Sequence, residues 1–121
     1  MIVAGFGFRS GAGLASLRAA FELARCGHPP VTHLATSEDK VAMLAPLADA
    51  LGLRLSGVSP QALAATRTLT QSTASLTARG IGSMAEASAL GAAGTEARLL
   101  SSRHISPDRM ATCAIAEGRP A

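Results

Sequence analysis

The chain has 121 residues, of which 48% are hydrophobic and 16% charged, with a net charge of +3 and neither tryptophan nor tyrosine. This composition excludes a disordered chain, and the length suits a single domain spanning 1–121 with an ordinary core. The mean hydropathy of +0.30 comes largely from alanine, and no window reaches the roughly 18 continuous apolar residues of a membrane span.

Ile2 to Ala4 reads as a short buried strand, broken by the run Gly5-Phe6-Gly7-Phe8-Arg9-Ser10-Gly11. A helix is expected from Gly11 to Arg25, with Leu14, Leu17, Phe21 and Ala24 on one face and Ser16, Glu22 and Arg25 on others. Gly27 is placed to end it, with Pro29-Pro30 beyond. A second strand covers Val31 to Ala35, and Thr36 or Ser37 caps a turn through Glu38, Asp39 and Lys40.

Pro46 argues against one continuous helix, so the spacing predicts a short helical turn at about 38–43 and then a helix with Pro46 in its first turn that runs to Leu51, closed by Gly52. Leu53 to Ser56 is a third strand, and Ser59-Pro60 opens a short helix through Leu63. Thr66 to Ala78 fits a weak helix or a loop. Ser83 and Glu86 match a capping box for a helix running to about Ala93 and ended by Gly94. Strands are expected at Ala97 to Leu100 and Met110 to Ala116, joined across a loop at Ser101 to Asp108, with 116–121 as a frayed tail. The alternation indicates an α/β fold in three layers, with a mostly parallel or mixed sheet of about five strands flanked by helices.

Several function classes are disfavoured. The aromatic content is three phenylalanines, too few for a base-stacking surface. Arg9, Arg18, Arg25, Arg54, Arg67, Arg79, Arg98, Arg103, Arg109 and Arg119 form no cluster in sequence, so no nucleic-acid partner is expected. Cys26 and Cys113 stand apart without ligand spacing, so no metal is expected. The start MIVAGFGFR has no basic leader segment, which favours a reduced, cytoplasmic location and no membrane association.

Two segments suit an anionic ligand. Gly5-x-Gly7-x-Arg9-Ser10-Gly11 precedes a helix, where free N–H groups favour an anion and Arg9 adds a forked donor. Its spacing departs from a dinucleotide fingerprint, because Ser10 stands where the third glycine belongs. Gly80-Ile81-Gly82-Ser83 repeats the glycine-before-helix pattern. The competing explanations are tight strand–helix packing for Gly5 and Gly7 and a plain capping box for Ser83 and Glu86. His28, His33 and His104 lack partners at ligand spacing. His104 is the best placed for acid–base work, in its expected loop.

The segments GFGFRSGAG, SEDK with LAPLADALGLRL, GIGSMAEASAL and MATCAIAEG, taken in order, resemble the CobE/CbiG carboxy-terminal domain family of cobalamin biosynthesis. The residues that carry the likeness are Gly5, Gly7 and Arg9, then Asp39 and Lys40, then Gly80 and Ser83 to Leu90, with Arg103 near the family's usual lysine. The resemblance implies a role in building the corrin ring, in the form of the family that stands alone without further CbiG domains. It implies a protein that binds a carboxylate-rich precorrin or corrin intermediate as carrier or accessory factor, in contact with other corrin-pathway enzymes and without a cofactor. The ligand residues it points to are Gly5, Gly7, Arg9, Ser10, Lys40, Gly80, Gly82, Ser83, Glu86 and Arg103. The enzyme alternative is a hydrolase of a tetrapyrrole lactone, with Glu86 or His104 as acid or base. A nucleotide-binding module is the third class.

Overall fold

The computed structural model describes residues 1–9, 11–62, 81–94 and 97–118. The strands are β1 (Ile2–Phe8), β2 (His33–Ser37), β3 (Arg54–Val58), β4 (Arg98–Ile105) and β5 (Ala111–Glu117). The helices are α1 (Leu14–Arg25), α2 (Val41–Leu51) and α3 (Ile81–Ala93). The expected α/β architecture is present. One five-stranded mixed sheet has the order β3-β2-β1-β5-β4. Strands β1, β2 and β3 are parallel, and β5 is antiparallel to both β1 and β4. The final pair is therefore the antiparallel hairpin that the short connection allowed.

Strand β1 explains the layering. Its side chains alternate, as strand geometry requires. Ile2, Ala4, Phe6 and Phe8 join Leu17, Phe21, Leu44 and Leu47 in the core beneath α1 and α2. Phe6 stacks on Phe21 with ring centroids 6.4 Å apart. Val3 belongs to the opposite core, with Ala35, Val58, Ala87, Ala89 and Ala93 beneath α3. Gly5 faces that second layer. A Cβ built there would lie 2.3 Å from both the Ala85 carbonyl oxygen and the Ala89 amide nitrogen. The helix backbone rests directly on the strand, which is the packing role open to Gly5.

Several boundaries differ from expectation for tertiary reasons. Strand β1 does not break at Gly5. It continues to Phe8 because β5 pairs with it along its whole length, from Ile2↔Glu117 to Phe8↔Ala111. Helix α1 starts at Leu14, and Leu14 is 44% exposed while Ser16 is buried, the reverse of the periodicity reading. Thr36 and Ser37 belong to β2 and are buried, so neither opens the next turn as a cap.

Pro46 lies inside one continuous helix from Val41 to Leu51. An internal proline costs about 3 kcal/mol, and burial of Leu44, Leu47 and Ala48 against the sheet offsets it. Gly27 and Gly52 take positive φ, of 81° and 68°, just past α1 and at the end of α2 as expected. Gly94, φ 96°, likewise ends α3. The Ser59 hydroxyl accepts the Ala62 N–H at 3.2 Å, which bears out Ser59 as a cap. Strand β5 reaches Glu117, and the Gly118 N–H donates to the Met1 carbonyl, so the chain is held further than the expected fraying point. Thr66 to Ala78, expected as a weak helix or a loop, and Leu63 lie outside the described residues.

Cys113 is buried and Cys26 exposed, and both are free thiols. Burial pushes the Cys113 thiol well above its ordinary pKa. No helix among the described residues is long and apolar enough to cross a membrane.

Gly5→Ala is expected to lower the unfolding free energy by about 3 kcal/mol, the upper end for overpacking, because the clash is with backbone. Gly13→Ala, with open space around its Cβ and φ of −97°, should be nearly neutral by comparison. Denaturant unfolding of the two variants checks both.

Candidate anion-binding cleft

Strands β1, β2, β3 and β4 all run toward one edge of the sheet, where β5 begins. The edge therefore gathers the turn after β1, the turn at 38–40, the Ser59 turn and the β4–β5 hairpin. Helix α3 reaches the same edge: its Ala93 end packs on Gly118, at the far end of the sheet, and its Met84 end lies beside Val58. In sheets of this kind the crevice beyond the carboxyl ends of the strands is the usual ligand position.

The crevice has a physical origin. Strands β1 and β2 pair from Val3↔His33 to Gly5↔Ala35 and no further. Beyond that point side chains replace the backbone ladder. The Thr36 hydroxyl donates to the Phe6 carbonyl at 2.9 Å, and Lys40 Nζ donates to the Phe8 carbonyl at 2.8 Å. From β5, the Thr112 hydroxyl donates to the Gly7 carbonyl at 3.2 Å. Lys40 Nζ also sits 5.4 Å from the centre of the Phe8 ring. The adjoining cleft has a volume of about 610 Å³. Ser37, Glu38, Asp39 and Lys40 form its polar side, and Val58, Pro60 and Met84 its apolar side.

The expected site residues fall in different parts of the fold. Arg9 and Lys40 are at the edge. Gly82 and Ser83 lie in the first described turn of α3, next to Met84. Because α3 already includes Ile81 and Gly82, Ser83 falls within the helix and is not its cap. Gly5 and Gly7 are buried inside β1, so the glycine-rich run is strand and not a ligand-wrapping turn. Ser10 and Gly80 lie outside the described residues.

Glu86 also departs from the capping box. It is buried, and its Oε2 accepts the Arg103 N–H at 3.3 Å. Arg103 lies where the β4–β5 register shifts between Ser101 and His104, a bulge that leaves an N–H without a ladder partner. Glu86 thus ties α3 to the edge strand. Arg103 and His104 belong to β4 and not to a loop, because β4 runs to Ile105. His104 Nδ1 is 3.2 Å from the Ser101 hydroxyl. His33, at the opposite edge, is held below its ordinary pKa by burial first and then by Arg54 and the amino terminus.

A network that the sequence reading missed closes the same edge. The Ser16 hydroxyl donates to Asp108 Oδ2. Asp108 Oδ1 accepts from the Ser106 hydroxyl at 2.5 Å and from the Met110 N–H at 3.1 Å. Ser106 Oγ accepts the Ala111 N–H at 3.1 Å. These bonds, with the Ser106 hydroxyl first, hold the Asp108 carboxyl below its usual pKa. The Ser106-Pro107-Asp108 string carries the turn chemistry that marks such a hairpin, but Ser16 joins it only through folding.

At this point the comparisons with known proteins bear on the geometry. The family model described as cobalamin synthesis G C-terminus matches residues 2–116. The chain belongs to that family. It is similar to the cobalamin biosynthesis protein chiG from Agrobacterium tumefaciens, at 32% identity over 99% of this chain and 100% of that one, with a TM-score of 0.77. It is also similar to CobE, a protein from the cobalamin (vitamin B12) biosynthetic pathway, at 28% identity over 96% of this chain and 89% of that one, with a TM-score of 0.78. No curated protein matches by sequence. The family expectation raised by the sequence motifs is thereby borne out, and the chain is a cobalamin-pathway family member with the fold of its solved relatives.

Asp108 should make stability depend on acid. A carboxyl with a lowered folded pKa contributes stability that is present above its unfolded value, about 3.9, and is lost as pH falls through the folded value. Thermal melts from neutral pH downward should show a lower melting temperature for Asp108→Asn at neutral pH. The gap to the unsubstituted protein should narrow below about pH 4.

Proposed function

We propose that this protein binds a carboxylate-rich tetrapyrrole intermediate of corrin synthesis at the cleft beyond β1–β3, as a carrier or accessory factor for the enzymes of that pathway. The observation that carries the reading is the pairing of an apolar wall (Val58, Pro60, Met84) with the cation of Lys40 in one open cleft. The apolar wall suits the face of a macrocycle. Lys40 commits one donor to the Phe8 carbonyl, and its remaining N–H groups, with Arg9, suit carboxylates at the rim. Glu38 and Asp39 supply acceptors for ring N–H groups. Membership of a cobalamin-biosynthesis family supplies the ligand class.

The contact of Glu86 favours binding over hydrolysis. Glu86 is buried and engaged by the Arg103 N–H, and His104 lies beside Ser101 on β4. The buried position of Glu86 supports a structural role for that side chain, and His104 is exposed on the surface of β4.

Titration of the purified protein with hydrogenobyrinic acid, followed by visible absorption, should give a saturable spectral change at micromolar protein. Lys40→Met should weaken it about tenfold, the loss of one charge-assisted hydrogen bond. Absence of any saturable change overturns the proposal. A thermal shift with NAD or ATP would favour a nucleotide instead.

A further inference from the structure

The β4–β5 hairpin holds Arg109 in a conformation that its residue type disfavours. Among the described residues it is the one non-glycine with positive φ, at 61°. Side chains other than glycine, asparagine and aspartate rarely adopt it. The turn is held from three sides. The Arg109 N–H donates to the Ser106 carbonyl at 2.8 Å, Asp108 accepts from Ser106 and Met110, and Ser16 of α1 donates to Asp108. A left-handed residue after a turn closed on the Ser106 carbonyl is ordinary hairpin geometry, so what this position offers for function is a fixed backbone from which its side chain projects.

The placement indicates which function. The Arg9 N–H donates to the Met110 carbonyl at 2.9 Å, so the residue after β1 and the residue after Arg109 are bonded neighbours. Arg9 and Arg109 are both exposed, and neither makes an ion pair among the described residues. The hairpin's own carboxylate, Asp108, is occupied by two hydroxyls and an N–H. Lys40 reaches the same strand end through the Phe8 carbonyl. The strand order β2-β1-β5 places the segments that carry Lys40, Arg9 and Arg109 in that order along the edge, with neighbouring strands about 4.8 Å apart.

We propose that the β4–β5 hairpin extends the carboxylate-binding site, with Arg109 as a further guanidinium donor beyond Lys40 and Arg9 for the rim of the ligand. The proposal rests on the tetrapyrrole reading above and extends it to a part of the edge outside the cleft. Glycine at position 109 would relax the backbone, whereas arginine retains the strain and supplies a planar fork suited to carboxylate.

The test uses the full chain titrated with hydrogenobyrinic acid. Arg109→Gly should weaken binding about tenfold with an unchanged or higher melting temperature, since the strain is relieved. Arg109→Lys should fall between the two. Arg54→Ala removes the same charge at the opposite edge, where β3 begins, and should bind as the unsubstituted protein does. If the unsubstituted protein binds and Arg109→Gly binds equally well, or if Arg54→Ala loses as much, the hairpin has no such role and the cleft reading stands. If the unsubstituted protein does not bind, both fall.

Discussion

The backbone of α3 touches the backbone of β1 at Gly5, and the rest of the architecture depends on that approach. The Ala85 carbonyl and Ala89 amide occupy the space that a side chain at position 5 would need. Alanines at 85, 87, 89 and 93 let the helix lie this low, and Gly118 repeats the arrangement at its far end, where an added Cβ would lie 2.6 Å from the Ala93 carbonyl oxygen. A low-lying helix leaves little room for large side chains, so this layer is built from Val3, Ala35, Val58 and alanines. The larger groups, Phe6, Phe21, Leu34, Leu44 and Leu47, are confined to the other layer. The two faces of one strand thus carry different packing regimes.

That approach also fixes where chemistry can occur. With α3 running from the carboxyl edge of the sheet to its amino edge, Met84 is brought beside Val58 and the turn after β2. The separation of β1 from β2 beyond Gly5 then opens the edge, and Thr36 and Lys40 satisfy carbonyls that the ladder no longer serves. Lys40 has both a structural bond and spare donors. The cleft is a consequence of strands parting, not of a glycine-rich loop.

Much of the fold was legible in the sequence. Alternating short apolar strands and helices implied the α/β layers, Gly27, Gly52 and Gly94 marked helix ends, and the short connection before the last strand allowed an antiparallel final pair. The ordered motifs also pointed to the family. The site was less legible. Glycines in β1 look the same in sequence whether they wrap a ligand or admit a helix, because both uses exploit the missing Cβ. Ser83 and Glu86 match a capping box by spacing alone, yet the helix begins earlier and Glu86 serves a bulge in β4, a strand 17 residues away in the chain.

The sequence by itself determined the element types, the helix stops and the supply of cations, since these rest on local propensity, positive-φ glycines and composition. Only the tertiary structure decided which of those cations meet. Strand order placed β5 beside β1, so the Arg9 amide bonds to Met110 and Ser16 to Asp108, partners 92 residues apart in the latter case. Contacts of that separation depend on sheet pairing, and no local pattern encodes which strands will be neighbours. The continuous helix through Pro46 and the extension of β1 through Gly5 have the same cause: burial and pairing with distant partners outweighed the local preference to break.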